Sequence, residues 1–343
     1  MKKQKRILIS RPDRLGDVIL STPIPREIKK TFPGSFVAIL IRSYAKDIYL
    51  NNPHVDEIII ADDILEKDNN NFWSKVRDIR KFRFTHALML LPNERINYLL
   101  FLAGIRHRIG TGHKFYQFIT GVKGISRHKY IPLRHEADYC MDLARAIGVE
   151  TDNLKTEIFL APDEKVLVEK FRKQFQNSGK PNKAPKKLIG VHTTSGNSAP
   201  NWSKETYRRF VLELSRQQDY KIFVTDNVVP DELQGIEGIE YPNVGLSLRE
   251  SIINFAGLDL LVSASTGPMH ICAALEVKTV SLFCPLTACS PRLWGPKGND
   301  AEIILPEDNY CSVRCPGDPK KCTFSGEGGI SPEKVINTIK EFV

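Results

Sequence analysis

The sequence predicts an α/β protein of two doubly wound, Rossmann-like domains in tandem, facing a central cleft. Three observations carry this. Apolar runs of strand length alternate with segments of helical spacing through the first half of the 343 residues. A polar segment rich in Pro and Lys, residues 177–187, interrupts the pattern, and beyond it the alternation restarts. Such alternation implies parallel sheets with helices on both faces, whose ligands sit at the carboxyl ends of the strands.

Taken in order, residues 6–10 hold Ile7, Leu8 and Ile9 in succession and read as a buried strand, with 17–30 as the helix after it. The unbroken apolar run at 36–41 is a second strand, and 57–61 and 86–91 are two more. Helical spacing returns near 71–82 and 95–102, and a helix over 136–147 closes the half. After the interruption come a strand at 188–192, a helix at 204–216, a strand at 221–225 and a helix at 248–256. A strand at 258–263, a helix at 266–275 and a strand at 279–283 follow, then a looser Cys-containing loop and a last helix at 332–342. The expected organisation is a first domain over 1–176, a linker over 177–187, a second domain over 188–330 and a terminal helix over 331–343.

The ten residues Leu261-Val-Ser-Ala-Ser-Thr-Gly-Pro-Met-His270 are the most informative. A buried strand ends in small polar residues and turns into a helix, with Pro268 at its first positions, where a missing N–H costs nothing. Backbone N–H groups and the dipole of such a helix start favour a phosphate, and His270 falls about one turn in.

The composition, 41% hydrophobic and 26% charged, is that of a globular protein, and the length suits two domains. No apolar run approaches the roughly 18–20 residues of a membrane-spanning helix, and the opening MKKQKRILIS lacks a signal-peptide core, so a cytoplasmic protein is expected. Seven Cys, an odd number, argue against a secreted disulfide framework. Residues 1–150 carry 26 Lys and Arg against 16 Asp and Glu, and the rest carry 23 against 24, so the net +9 arises wholly in the first half. It peaks over 95–135, where eight Lys and Arg meet no acidic residue and share the stretch with four His and several aromatics. That is a solvated basic face or a surface for an anionic partner or membrane. No binding motif accompanies it to suggest nucleic acid.

Three blocks carry a resemblance: Arg11-Pro-Asp-Arg-Leu-Gly-Asp-Val-Ile-Leu-Ser-Thr-Pro23; Gly190-Val-His-Thr-Thr194 with Asn201-Trp202; and Ser263-Ala-Ser-Thr-Gly-Pro-Met-His270, leading to Phe283-Cys-Pro285 and Trp294-Gly-Pro296. Asn52-Pro-His-Val-Asp-Glu57 is a further match. Together they resemble the family 9 glycosyltransferases, the ADP-heptose–lipopolysaccharide heptosyltransferases, over nearly the whole chain and in the right order. The resemblance implies a GT-B fold with the acceptor on the first domain, the nucleotide-sugar on the second and the last helix packed back on the first. It also implies inversion at the anomeric carbon without a metal, and the sequence contains no Asp-x-Asp.

Under the resemblance Asp17 is the catalytic base; read alone, it also suits a helix N-cap. Gly16 would let the backbone turn closely beside it, and Arg11 and Arg14 flank the loop as contacts for an anionic acceptor. Arg95 and Arg127, from the basic stretch, are further acceptor candidates. Thr193 and Thr194 become diphosphate contacts, or alternatively a pair capping the next turn. Ser265, Thr266, Gly267 and His270 form the donor turn, and Asp226 is placed by topology to reach a ribose or base.

Two departures from the family's pattern stand out: Ser265 occupies a position where many relatives carry Asp, and no cation precedes Trp202. Cys311, Cys315 and Cys322 match no common zinc spacing and are expected to be structural or simply reduced. The predicted function is transfer of a heptose or related sugar from a nucleotide diphosphate, ADP-heptose, to a lipopolysaccharide core. The acceptor would be an acidic lipid-linked oligosaccharide at the cytoplasmic face of the inner membrane, with no metal or other cofactor. A non-catalytic sugar-nucleotide-binding relative and another GT-B reaction, such as epimerisation, stay open. A dinucleotide oxidoreductase lacks its glycine-rich turn.

Overall fold

The computed structural model describes residues 4–65, 71–176, 185–196 and 199–343, in two compact units, Met1–Phe159 and Leu160–Val343. The first unit holds one parallel sheet of β1 (Arg6–Ser10), β2 (Phe36–Ile41), β3 (Glu57–Ile60), β4 (His86–Met89), β5 (His107–Thr111) and β6 (Lys123–Ile125). Its order is β3-β2-β1-β4-β5-β6, so winding reverses between β1 and β4 and opens a crevice at their carboxyl ends. Ile7, Leu8 and Ile9 are fully buried, as a strand covered on both faces requires. Each such side chain contributes about 1.5–3 kcal/mol on burial.

The second unit holds β7 (Lys187–His192), β8 (Tyr220–Val224), β9 (Leu260–Ala264), β10 (Lys278–Leu282) and β11 (Ala301–Ile304), again parallel. The order β11-β10-β9-β7-β8 reverses between β7 and β9. Thr193 and Thr194 follow β7, and Ser265 to His270 follow β9, so both candidate segments flank this unit's own switch point.

Several expectations are corrected. The single helix over 17–30 is two, Leu15–Ile19 and Pro23–Thr31, because Pro23 and Pro25 lack the N–H groups to continue the first but fit the opening turn of the second. Strands β5, β6 and β11 were not anticipated; His107-Arg-Ile-Gly-Thr and Lys123-Gly-Ile carry no apolar run to announce them. The first unit ends at Phe159 and not at 176. Helix Pro162–Gln176 joins the second unit, since Phe171 and Phe175 pack on Phe223 and Arg172 pairs with Asp259 at 2.7 Å. The expected linker lies outside the described residues save its last three. The last helix, Pro332–Phe342, packs on the second unit's own core. Val335, Ile336 and Ile339 join Ile189, Val280 and Ile304, and Lys278 donates to the Phe342 carbonyl at 2.8 Å.

Candidate active site

At the carboxyl end of β1 the chain places Arg11, whose side chain is turned inward and only 2% exposed. Its Nη2 donates to Asp17 Oδ1 at 2.6 Å and to Glu136 Oε1 at 3.1 Å; its Nη1 donates to the Leu90 carbonyl at 3.3 Å, just past β4. Nε lies 3.0 Å from Asp13 Oδ1. Glu136 opens helix Glu136–Arg145 and also accepts two bonds from Arg127, at 2.6 and 2.9 Å. Three carboxylates thus share two guanidiniums in a place with little water. One negative charge is in excess, which favours protonation of a carboxylate in the cluster. Burial pushes Asp13 up to about 7, with Asp17 adding and Arg11 opposing. Burial likewise raises Asp17, against the pull of Arg11.

This geometry revises the roles expected of the loop. Asp17 is not the helix cap: Arg14 holds that position, and Asp17 sits in the first turn with 17% of its side chain open. Arg11, expected at the acceptor, is instead a buried fixture orienting Asp17. Arg127 is held on Glu136, and Arg95 lies over the Phe72 ring at 5.9 Å. Arg14 is exposed beside Asp17 and keeps its candidacy as an acceptor contact. Gly16 lies inside the helix and is not among the glycines with left-handed backbone, so no tight turn depends on it. Asp13 and Glu136 were missed. Glu136 is the first acid after the acid-free stretch, and that was its one visible signal.

The raised Asp13 gives a pH signature. Folded chains hold this proton between the ordinary 3.8 and about 7, where unfolded chains release it. The resulting stability is present below about pH 4 and is lost as pH rises through 7. The thermal midpoint of the first unit is therefore expected to fall from about pH 5 to about pH 8, and Asp13→Asn to flatten that fall. An unchanged slope in the variant would assign the dependence to another group.

In the second unit Asp226, 1% exposed after β8, organises the strand ends. Its carboxylate accepts from Thr193 N and Oγ1, both at 2.9 Å, and from Thr194 N at 3.0 Å and Oγ1 at 2.7 Å. All these bonds hold the Thr193–Thr194 turn, so the carboxylate expected near a ribose or base is engaged within the protein. The donors of both Thr residues, expected at a diphosphate, face this carboxylate. Asn201 fixes the same turn from behind, donating to the Thr193 carbonyl at 2.8 Å, and Trp202 Nε1 donates to the Ile330 carbonyl at 2.7 Å.

The turn after β9 is arranged differently. Thr266 caps helix Gly267–Ala274 with extended backbone but without a side-chain cap bond. Its hydroxyl is buried with no hydrogen-bond partner among the described residues, a cost an incoming acceptor oxygen would remove. Pro268 occupies the helix start, Ser265 is half-buried, and His270 is buried one turn in. Among the described residues no group of three or more His, Cys, Asp or Glu is disposed to hold a metal ion. Cys311, Cys315 and Cys322 are free thiols; Cys322 is buried in the second unit's core and Cys311 packs against it.

A model of glycosyltransferase family 9 (heptosyltransferase) matches residues 73–316. A Haemophilus influenzae protein whose name goes no further than glycosyltransferase is 27% identical over 307 residues, spanning 85% of this chain and 86% of that one. A family 9 glycosyl transferase from Veillonella parvula has a similar fold, with a TM-score of 0.77 and 22% identity over 98% of this chain and 96% of that one. The Escherichia coli ADP-heptose lipopolysaccharide heptosyltransferase II gives 0.72 and 17% over 98% of both chains.

Proposed function

The chain belongs to glycosyltransferase family 9, the heptosyltransferases, and from that premise we propose that it moves a heptose from ADP-heptose to a lipopolysaccharide-core acceptor. The donor and acceptor classes are supported by the name of the Escherichia coli relative. Asp17 takes the proton of the acceptor hydroxyl as its oxygen bonds to the anomeric carbon. The bond to the diphosphate oxygen breaks on the opposite side, inverting the carbon, and ADP leaves with the electron pair. No metal or other cofactor takes part. Charge developing on the leaving diphosphate is met by the N–H groups of the Gly267 helix start, by the Thr266 hydroxyl and by Ser265 and His270.

The observation that carries this reading is the Asp17 carboxylate. It lies at the switch-point edge, partly open, fixed at 2.6 Å by Arg11 and pushed by burial toward a higher proton affinity. A general base needs both position and basicity above that of a solvated carboxylate. Arg14 offers a charge to an acidic acceptor. Phe115, Phe118 and Ile119, respectively 79%, 83% and 59% exposed in the basic stretch, favour a place against the cytoplasmic face of the inner membrane.

Calorimetric titration with ADP, UDP, GDP and CMP, free and as sugar conjugates, tests the donor. Selective ADP-heptose binding is expected, and Thr266→Val should weaken it roughly ten- to hundredfold, as loss of a bond to a charged group does. Selectivity for another nucleotide would overturn the ADP assignment. A second reading, a binding protein without turnover, is favoured by the Thr193–Thr194 turn spending its donors on Asp226; donor binding with no transfer to any core acceptor would establish it.

A further inference from the structure

The opposite edge of the first unit's sheet carries a second concentration of charge that the transfer reaction does not use. A cavity of about 280 Å³ opens there at the amino ends of β4, β5 and β6, lined by His86, Arg106, His107, Arg108 and Lys123 with apolar neighbours and no acidic residue. His86 pairs in register with Ile7, at the start of β1, whereas Arg11 and Asp17 follow the end of that strand. The two places therefore lie at opposite ends of one sheet.

The cavity's walls are built. Arg108 is fixed by donating to the carbonyls of Ile105 and Thr120, and its guanidinium lies over the Phe101 ring at 5.1 Å. The imidazoles of His86 and His107 stack at 4.8 Å, and His86 Nδ1 is 2.8 Å from Thr85 Oγ1. The Thr85 hydroxyl, which also reaches the Arg6 carbonyl at 3.0 Å, holds the His86 ring from its Nδ1 side. The positive potential is uncompensated. Burial, and then the charges of Lys5 and His107, hold His86 down to about 4, and burial lowers Arg108 with no carboxylate opposing it. The charges of Arg106, Arg108 and Lys123 around a concave, partly dry wall are unfavourable until an anion enters, and an anion would also favour protonation of the neutral His86 ring.

We propose that this cavity is a binding site for a phosphate-bearing anion, a phosphomonoester or diphosphate group, separate from the donor turn of the second unit. Its size, at the lower limit of small-molecule pockets, suits such a group and not a whole nucleotide-sugar. Arg106 and Lys123 are exposed and supply mobile charge at the mouth beside the exposed His107, while Arg108 and His86 form the half-buried floor. The same chemistry is offered by a soluble phosphorylated sugar or by an anionic lipid headgroup.

The test is residue-specific. The imidazole signals of His86 and His107 are followed by NMR in the full chain, assigned with His86→Asn and His107→Asn, while sodium pyrophosphate is added. Saturable movement of both signals is expected, with both imidazoles protonating at higher pH in the complex because the anion stabilises the imidazolium. In the double variant Arg106→Glu with Lys123→Glu, whose side chains are exposed, pyrophosphate affinity should fall about tenfold or more. Stationary signals in the wild type, or equal affinity in the double variant, overturn the proposal. The wild-type arm stands even if the variant does not fold. Flotation with phosphatidylglycerol vesicles then identifies the source. Capture that pyrophosphate competes away and the double variant loses assigns a lipid headgroup; capture indifferent to both, with pyrophosphate still bound, assigns a soluble ligand. None of these readouts uses transferase activity, so they stand apart from the outcome for Asp17.

Discussion

Asp17→Asn is expected to lower sugar transfer by about 10²- to 10⁴-fold, the range a positioned general base contributes, with donor affinity unchanged. The substitution is close to isosteric, and its amide oxygen can still accept from Arg11 Nη2, so the loop geometry survives. What it removes is the ability to take a proton. The distinguishing feature is where the loss falls. An effect confined to kcat, with ADP-heptose binding intact, assigns Asp17 to the chemical step. An equal loss in donor affinity would mean that the loop had collapsed, and full activity would end the base assignment and leave Asp17 as one member of a structural ion cluster. Asp13 is the group to substitute beside it. It lies 3.0 Å from the same guanidinium and is likewise raised by burial, so Asp13→Asn shows whether Asp13 or Asp17 sets the pH dependence of transfer.

The contrast between the strand-end segments within each unit explains what the sequence could and could not reveal. The strand, turn and helix around Thr266–His270 were legible because strand, proline and helix are contiguous. The two-sheet architecture was legible for the same reason: runs such as 36–41 and 258–263 declare covered strands locally. The bond of the Thr193–Thr194 pair to Asp226 was not legible because that partner stands 32 or 33 positions away, past the end of the neighbouring strand. Nothing near the threonines announces that their donors are taken. Arg11 misled in the same manner. An arginine in a loop at a strand end reads as a ligand contact until Glu136, 125 residues on, proves to be waiting for it. The basic stretch looked like one surface, yet Arg127 and Arg134 are tied to carboxylates on helix Glu136–Arg145, while Arg106, Arg108 and Lys123 gather at the far edge of the sheet. Charge counting along a chain does not tell which cations are already spent.

Removing the cation at the centre of the cluster should be the most damaging single change in the first unit. Arg11→Ala leaves Asp13, Asp17 and Glu136 with Arg127 alone, and stranding buried charge in this way costs about 3–5 kcal/mol. The size of the loss should depend on pH, and the direction is fixed by the chemistry. Without Arg11 the carboxylates hold protons more tightly in the folded state than in the unfolded one. Acidification therefore restores stability and alkaline pH withdraws it. Calorimetry of the full chain should accordingly show the first unit's transition displaced further from wild type at about pH 8 than at about pH 5.5. Arg11→Lys keeps one charge but not the fork that reaches Asp17, Glu136 and the Leu90 carbonyl together, so it should fall between the two. A loss below about 1 kcal/mol that does not vary with pH would mean the cluster is wetter than the 2% exposure of Arg11 and Glu136 implies, because only solvent could then be carrying the charge. A large, pH-dependent loss would make Arg11 the residue that lets the Asp17 carboxylate be both half-buried and fixed in place. Retaining so costly a group inside the unit then follows from what Asp17 must do at its edge.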